Sequence, residues 1–176
     1  MQKDPMYSRR IYLASPLFSI SEQFWNEIVA DELRKAGYEV FNPQSDNTAN
    51  DKDNPNAKVT AKTIFDGDTN EVLKADAIVA NLDGLTIDPG LAAECGIMWK
   101  LNKSHNLHHK GIIGYRSDIR KYGKGDQRFY FNQYVVGLIE DCGKIVDLNP
   151  PENKLDLDLY RREAKKIVDE LNNLFN

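Results

Sequence analysis

Four side chains in this sequence could do chemistry together: the carboxylates of Asp68, Asp88 and Glu94, and the phenol of Tyr12. Asp88 opens the segment Asp88-Pro-Gly-Leu-Ala-Ala-Glu94-Cys-Gly96. An aspartate followed by proline reads as an N-cap and a first helical position, so a helix is expected from Pro89. Residues three and four apart share a helical face, which puts Leu91, Glu94, Ile97, Met98 and Leu101 on one stripe. Glu94 is the charge among these apolar side chains. The preceding helix repeats the anomaly, with Ala61, Ile64, Phe65, Asp68 and Val72 on a stripe that only Asp68 charges. A carboxylate on an inward stripe must be paired, shifted in pKa or facing a cavity. Either acid alone could cap a helix or pair with an arginine such as Arg10. Two of them on successive helices can also converge on one cleft, and Asp88 is then either a plain helix cap or the third acid of that cleft.

Converging carboxylates suit glycosyl chemistry. One attacks the anomeric carbon and another handles the proton of the leaving group, at a separation of about 5 Å in a retaining mechanism. Their repulsion splits the pKa values and keeps one protonated. Tyr12, late in the first strand, could hold the attacking carboxylate by a hydrogen bond, or be an ordinary strand tyrosine.

The elements that must position these groups alternate. Short apolar runs at Arg10 to Ala14, Glu39 to Phe41, Asp76 to Asn81, Gly111 to Tyr115 and Lys144 to Val146 read as strands. Helix-period segments run from Phe18 to Ala36 (apolar at Phe24, Ile28 and Leu33, stopping at Gly37), Ala57 to Ala75, Pro89 to Leu101, Asn132 to Asp141 and Asp156 to Leu174. The polar stretch from Asn42 to Asn56 is a loop. Alternation of this kind implies a parallel sheet with right-handed crossovers and helices on both faces. Ligands of such sheets bind beyond the carboxyl ends of the strands, here the loops after Ala14, Phe41, Asn81 and Tyr115. The first strand runs into Ser15-Pro16-Leu17-Phe18, not a glycine-rich dinucleotide turn, and Gly123-Lys-Gly125 lacks the spacing of a phosphate loop.

The 176 residues suffice for one domain, read as residues 1–176 with an N-terminal tail at 1–9 and a C-terminal helix within 152–176. A net charge of −4 argues against a nucleic-acid partner. With 28% charged residues and no long apolar run, no membrane segment is expected. The first ten residues lack a signal peptide's apolar stretch, and two cysteines make no disulfide framework, so a cytoplasmic protein is expected.

Several stretches together resemble the nucleoside 2-deoxyribosyltransferase family over Ile11 to about Val146. Ile11-Tyr12-Leu-Ala-Ser-Pro-Leu-Phe18 resembles the opening strand and sugar-side loop, and Pro43-Gln-Ser-Asp46-Asn47 the base-side loop. Phe65-Asp-Gly-Asp68-Thr-Asn70 resembles the helix with a conserved acid. Asp88-x-Gly90-x-x-x-Glu94-x-Gly96 is the most specific piece and includes the family nucleophile. Tyr115-Arg-Ser-Asp118 and Asn132-Gln-Tyr134 resemble the segment that completes a neighbouring subunit's site. The resemblance implies a flavodoxin-like, doubly wound five-stranded parallel sheet. It also implies a pentosyltransferase of nucleotide salvage, acting on 2′-deoxynucleosides and free nucleobases through a covalent deoxyribosyl-Glu94 intermediate. Asp68 would serve the base, Asp88 would hold the sugar or base, and Tyr12 would orient Glu94. Phe18, Asp46, Asn47 and Gly90 would bind substrate, with Asn132 and Tyr134 lent by an adjacent subunit. No metal or organic cofactor is implied, and the assembly would be a homo-oligomer built on dimers, up to a tetramer or hexamer. Two features depart from the pattern. Gln44 precedes Asp46-Asn47 and Thr48 follows, so the base-side glutamine has no clear place. A charged helix from Asp156 occupies the end at which some members carry an aromatic residue whose carboxylate reaches the site.

Other candidates have plainer readings. His105, His108 and His109 lie in a polar loop without ligand spacing, and Cys95 reads as helix packing. The stretch from Arg116 to Arg128, with Arg120, Lys121 and Lys124, is a solvated loop or a 5′-phosphate site. The second choice would make the protein a nucleoside 5′-monophosphate N-glycosidase. A third reading is a non-catalytic nucleoside-binding module, for which Glu94 is dispensable.

Overall fold

The computed structural model describes residues 8–45, 59–104, 108–118, 132–149 and 156–176. Five strands, β1 (Arg10–Ala14), β2 (Glu39–Phe41), β3 (Ala77–Asn81), β4 (Gly111–Arg116) and β5 (Gly143–Asp147), form one parallel sheet in the order β2-β1-β3-β4-β5. This is the flavodoxin-like order, with its switch point between β1 and β3. Every residue of β3 is buried, as a central strand covered on both faces requires.

Helices α2 (Ala61–Lys74), α3 (Pro89–Lys103) and α4 (Gln133–Cys142) cover one face; α1 (Ile20–Lys35) and α5 (Leu157–Phe175) cover the other. Strand alternation divides β1 between two cores. Ile11 and Leu13 pack toward α1 and α5, while Tyr12 and Ala14 face the side of α2, α3 and α4. Tyr12 therefore belongs to the layer that carries Asp68 and Glu94. The helix starts follow their capping chemistry. Ser19 and Glu22 form a capping box on α1, and the carboxylate of Asp88 accepts the Leu91 amide at 3.0 Å, with Pro89 at the first position of α3.

The expected strands and helices are present with most ends moved by a residue or two; the second helix, expected from Ala57, begins at Ala61 after its cap Thr60, and residues 57–58 lie outside the described residues. Three expected stripes are corrected. On α3, Leu91 and Met98 are buried, but Ile97 and Leu101 are half-buried and Cys95, off the expected stripe, is fully buried. On α2 only Val72 reaches the core, while Ile64 and Phe65 are 36% and 59% exposed. The first half of this helix runs past the sheet's carboxyl edge, where no strand lies beneath it. On α1, Ile28 and Leu33 are buried but Phe24 is 55% exposed for the same reason. At the other end of the molecule, Phe175 stacks on Tyr38 and lies under the Arg9 guanidinium, beside the starts of β1 and β2. No helix among the described residues is long and apolar enough to cross a membrane.

Candidate active site

At the switch point the chain leaves β1 and β3 in opposite directions, opening a cleft of about 210 Å3. Tyr12 and the loop after β1 form one side; the start of α3 and the first half of α2 form the other. The Tyr12 hydroxyl donates to Glu94 Oε1 at 2.7 Å. Its ring is fixed by stacking on Phe41 of β2, centroids 5.5 Å apart, and only 1% of the residue is exposed. Burial, then the negative charges of Glu94 and Asp68, push the phenol well above the usual tyrosine range, so it stays a donor.

Glu94 is set by opposing effects. Burial raises its pKa, the Tyr12 hydrogen bond lowers it, and the charges of Asp68 and Asp88 raise it again, leaving it at about 7. A carboxylate in that range is partly ionised near neutrality, and the ionised form is the one that can attack and leave. Asp68 and Asp88 line the cleft with it, so the three acids expected to converge do so. The alternative of simple pairing to Arg10 does not apply, because the Arg10 guanidinium is engaged by Glu39 and Glu71. Gly90 permits the tight first turn: a Cβ there would stand 3.1 Å from the Asp88 carboxylate oxygen.

The walls are largely apolar, formed by Leu17, Phe18, Ile64 and Leu91, and among the described lining residues none is basic. Ser15 was not singled out by sequence. Its hydroxyl is buried beside the acids with no partner among the described residues, which suits a hydrogen bond to a ligand. A serine just past a strand's carboxyl end carries that signal weakly, since such residues commonly serve turns.

Other expected site residues lie elsewhere. Asn132 is exposed and caps α4, accepting the amides of Tyr134 and Val135, and Tyr134 is 80% exposed. Neither lines this chain's own cleft. Asp46 and Asn47 lie outside the described residues, as do His105, Arg120, Lys121, Lys124 and Arg128. Gln44 faces away from the cleft, bonded to Asn26, Glu27 and the Gln23 carbonyl. Arg116, grouped by sequence with a solvated loop, is a buried end residue of β4 paired in register with Asp147. His109, expected in a surface loop, is buried against the Ala75 carbonyl, because the turn into β4 folds under α2. Cys95 is fully buried, and burial pushes its thiol far up, consistent with packing.

A search of curated proteins finds no match. Among solved structures, the chain resembles a conserved protein from Enterococcus faecalis V583, with 28% identity, a TM-score of 0.66, and coverage of 91% of this chain and 99% of that one. A CMP N-glycosidase from Clostridium botulinum matches at 16% identity and TM-score 0.49, covering 90% and 98% of the two chains. A 2-desoxiribosyltransferase from Leishmania mexicana matches at 22% and 0.49, covering 72% and 85%. A profile of the family described as nucleoside 2-deoxyribosyltransferase matches residues 11–170. With that match spanning nearly all of the sheet and its helices, the chain belongs to the nucleoside 2-deoxyribosyltransferase family.

Proposed function

We propose that this protein is a nucleoside 2-deoxyribosyltransferase that moves 2-deoxyribose between bases. The observation that carries the reading is Glu94, held by Tyr12 in a cleft with two further carboxylates and apolar walls. The Glu94 carboxylate bonds to C1′ as the C1′–N bond breaks, and the electron pair of that bond leaves with the base. Asp68 delivers the proton that the departing nitrogen takes up. It then accepts the N–H proton of the incoming base, whose nitrogen attacks C1′ and displaces Glu94. Two inversions give net retention. Asp88 and Ser15 hold sugar hydroxyls, and Phe18 and Ile64 cover the rings. No cofactor takes part, and the setting is cytoplasmic nucleotide salvage.

A 5′-monophosphate would bring its charge toward three acids, with no basic side chain among the described lining residues to meet it. That favours a nucleoside over a nucleotide, and transfer over nucleotide hydrolysis. Large apolar side chains are exposed on segments near the sheet's carboxyl edge: Phe18, which lines the cleft, is 74% exposed, and Ile20, Leu85 and Tyr134 are 87%, 86% and 80% exposed. Exposed apolar surface of this kind suits contact with a second copy of the chain, which would bring Asn132 to the 5′-hydroxyl.

The test is chromatography of thymidine with free adenine, beside hydrolysis of deoxynucleoside monophosphates. Formation of deoxyadenosine is expected to dominate, and Glu94→Ala is expected to lower it by about 10⁴-fold or more while circular dichroism is unchanged. Faster hydrolysis of the monophosphates would make the protein an N-glycosidase. Undiminished exchange in a folded Glu94→Ala variant would remove the nucleophile.

A further inference from the structure

Helix α1 carries an anomaly of its own. Asn26, Val29, Ala30 and Leu33 stand three and four residues apart, so they share one face, and all four are fully buried. Three are apolar and the fourth is an amide. Asparagine is a poor helix former, and burying an amide costs free energy unless its polar atoms are bonded. Asn26 Oδ1 is buried and has no donor among the described residues. A leucine, which branches at the same carbon, would fill the position without an orphaned acceptor.

The amide nitrogen accounts for the residue. Asn26 Nδ2 donates to the Pro16 carbonyl at 2.9 Å and to Gln44 Oε1 at 3.0 Å, which uses both of its protons. The orientation of this pair is fixed from the far end. Gln44 Nε2 donates to the Gln23 carbonyl at 3.1 Å and to Glu27 Oε1 at 2.8 Å, so Gln44 Oε1 must face Asn26. Gln23, one turn earlier on α1, adds a bond from its side-chain amide to the Leu17 carbonyl at 2.9 Å. Pro16 lies in the loop after β1, and Gln44 in the turn after β2, Pro43–Ser45. Those two segments supply Ser15, Leu17, Phe18 and Pro43 to the wall of the Glu94 cleft. Asn26 does not line the cleft; its helix packs on the opposite face of the sheet and reaches both segments from behind.

We propose that Asn26 is a positioning residue for substrate binding, a clamp that locks the two wall segments to each other and to α1. It sets where Ser15 and Phe18 stand when the sugar and the base enter. Glu94, Tyr12 and Asp68 do not depend on it, because α3, β1 and α2 carry them. Loosening the clamp therefore weakens binding in the ground and transition states alike and spares the chemical step. The inference deepens the transferase reading and rests on it for the choice of substrate.

Asn26→Leu in the full chain tests it, with Gln44→Leu, at a half-buried turn position, as the second variant should Asn26→Leu not fold. In thymidine–adenine exchange, each is expected to raise KM for thymidine about tenfold while kcat changes by less than about threefold. A residue that only supported the fold would lower kcat through loss of folded enzyme and leave KM in place, and that result would overturn the proposal. Hydrogen–deuterium exchange reads the clamp without any reaction. Peptides covering residues 15–19 and 42–45 are expected to take up deuterium faster in the variant than in wild type, with the β3 peptide unchanged. Unaltered uptake in either segment would also overturn the clamp. Wild-type protein that moves no deoxyribose would remove the transferase reading, and the deuterium uptake would still decide whether Asn26 holds both segments.

Discussion

Tyr12 and Glu94 make one hydrogen bond, and the proposed chemistry at the cleft turns on it. That bond favours the charged carboxylate, against the burial that opposes charge. An attacking carboxylate must be ionised, so kcat/KM for base exchange is expected to rise with pH through about 7. Removing the Tyr12 hydroxyl removes an effect that lowers the Glu94 pKa. In Tyr12→Phe the rising limb should therefore move to higher pH, with a roughly ten- to hundredfold loss of rate at pH 7. A profile measured from pH 5 to 9 checks this; an unmoved limb would show that the phenol does not tune the acid. Glu94 was legible in the sequence because a charge interrupted an apolar stripe. Ser15 was not, because its meaning comes from an unpartnered hydroxyl, which only three-dimensional packing reveals.

Helix α3 carries Glu94 and is capped by Asp88, which serves both the helix and the cleft. Its carboxylate caps the first turn, and its charge raises the pKa of Glu94. The two roles separate by substitution. Asp88→Asn keeps a capping oxygen but removes the charge, so the acid limb of the pH profile should shift to lower pH with little change in melting temperature. Asp88→Ala should shift the limb the same way and also cost about 1 kcal/mol of stability, read by denaturant titration. Equal stability loss in both variants would argue against the cap. The stripe on α3 could be read from spacing in part: Leu91 and Met98 are buried as expected, but Ile97 and Leu101 are half-buried and the buried face turns through Cys95. The stripe on α2 could not: the same periodicity marks a face toward the core at Val72 and a face toward the cleft mouth at Ile64. Spacing gives a direction around a helix, and does not tell where the sheet beneath it ends.

Across the whole molecule, the alternation of strands and helices made the parallel sheet legible, and the switch point then located the cleft. What local pattern could not supply was the far side of the site. Asn132 caps its own helix and does not line the cleft, while Phe18 at the cleft and Tyr134 near Asn132 are both exposed. If a second copy completes the site, Glu94→Ala and Asn132→Ala proteins, each inactive alone, should recover exchange activity when mixed, denatured and refolded together. A mixture as inactive as its parts would mean that each chain works unaided. The position of Phe175 carries a practical consequence. It is anchored under Arg9 and against Tyr38, beside the strand starts, whereas the Glu94 cleft opens at the strands' carboxyl ends. A surface linker attached beside Phe175 would therefore leave the Glu94 cleft turned outward, so that immobilisation through that face should preserve access for substrates.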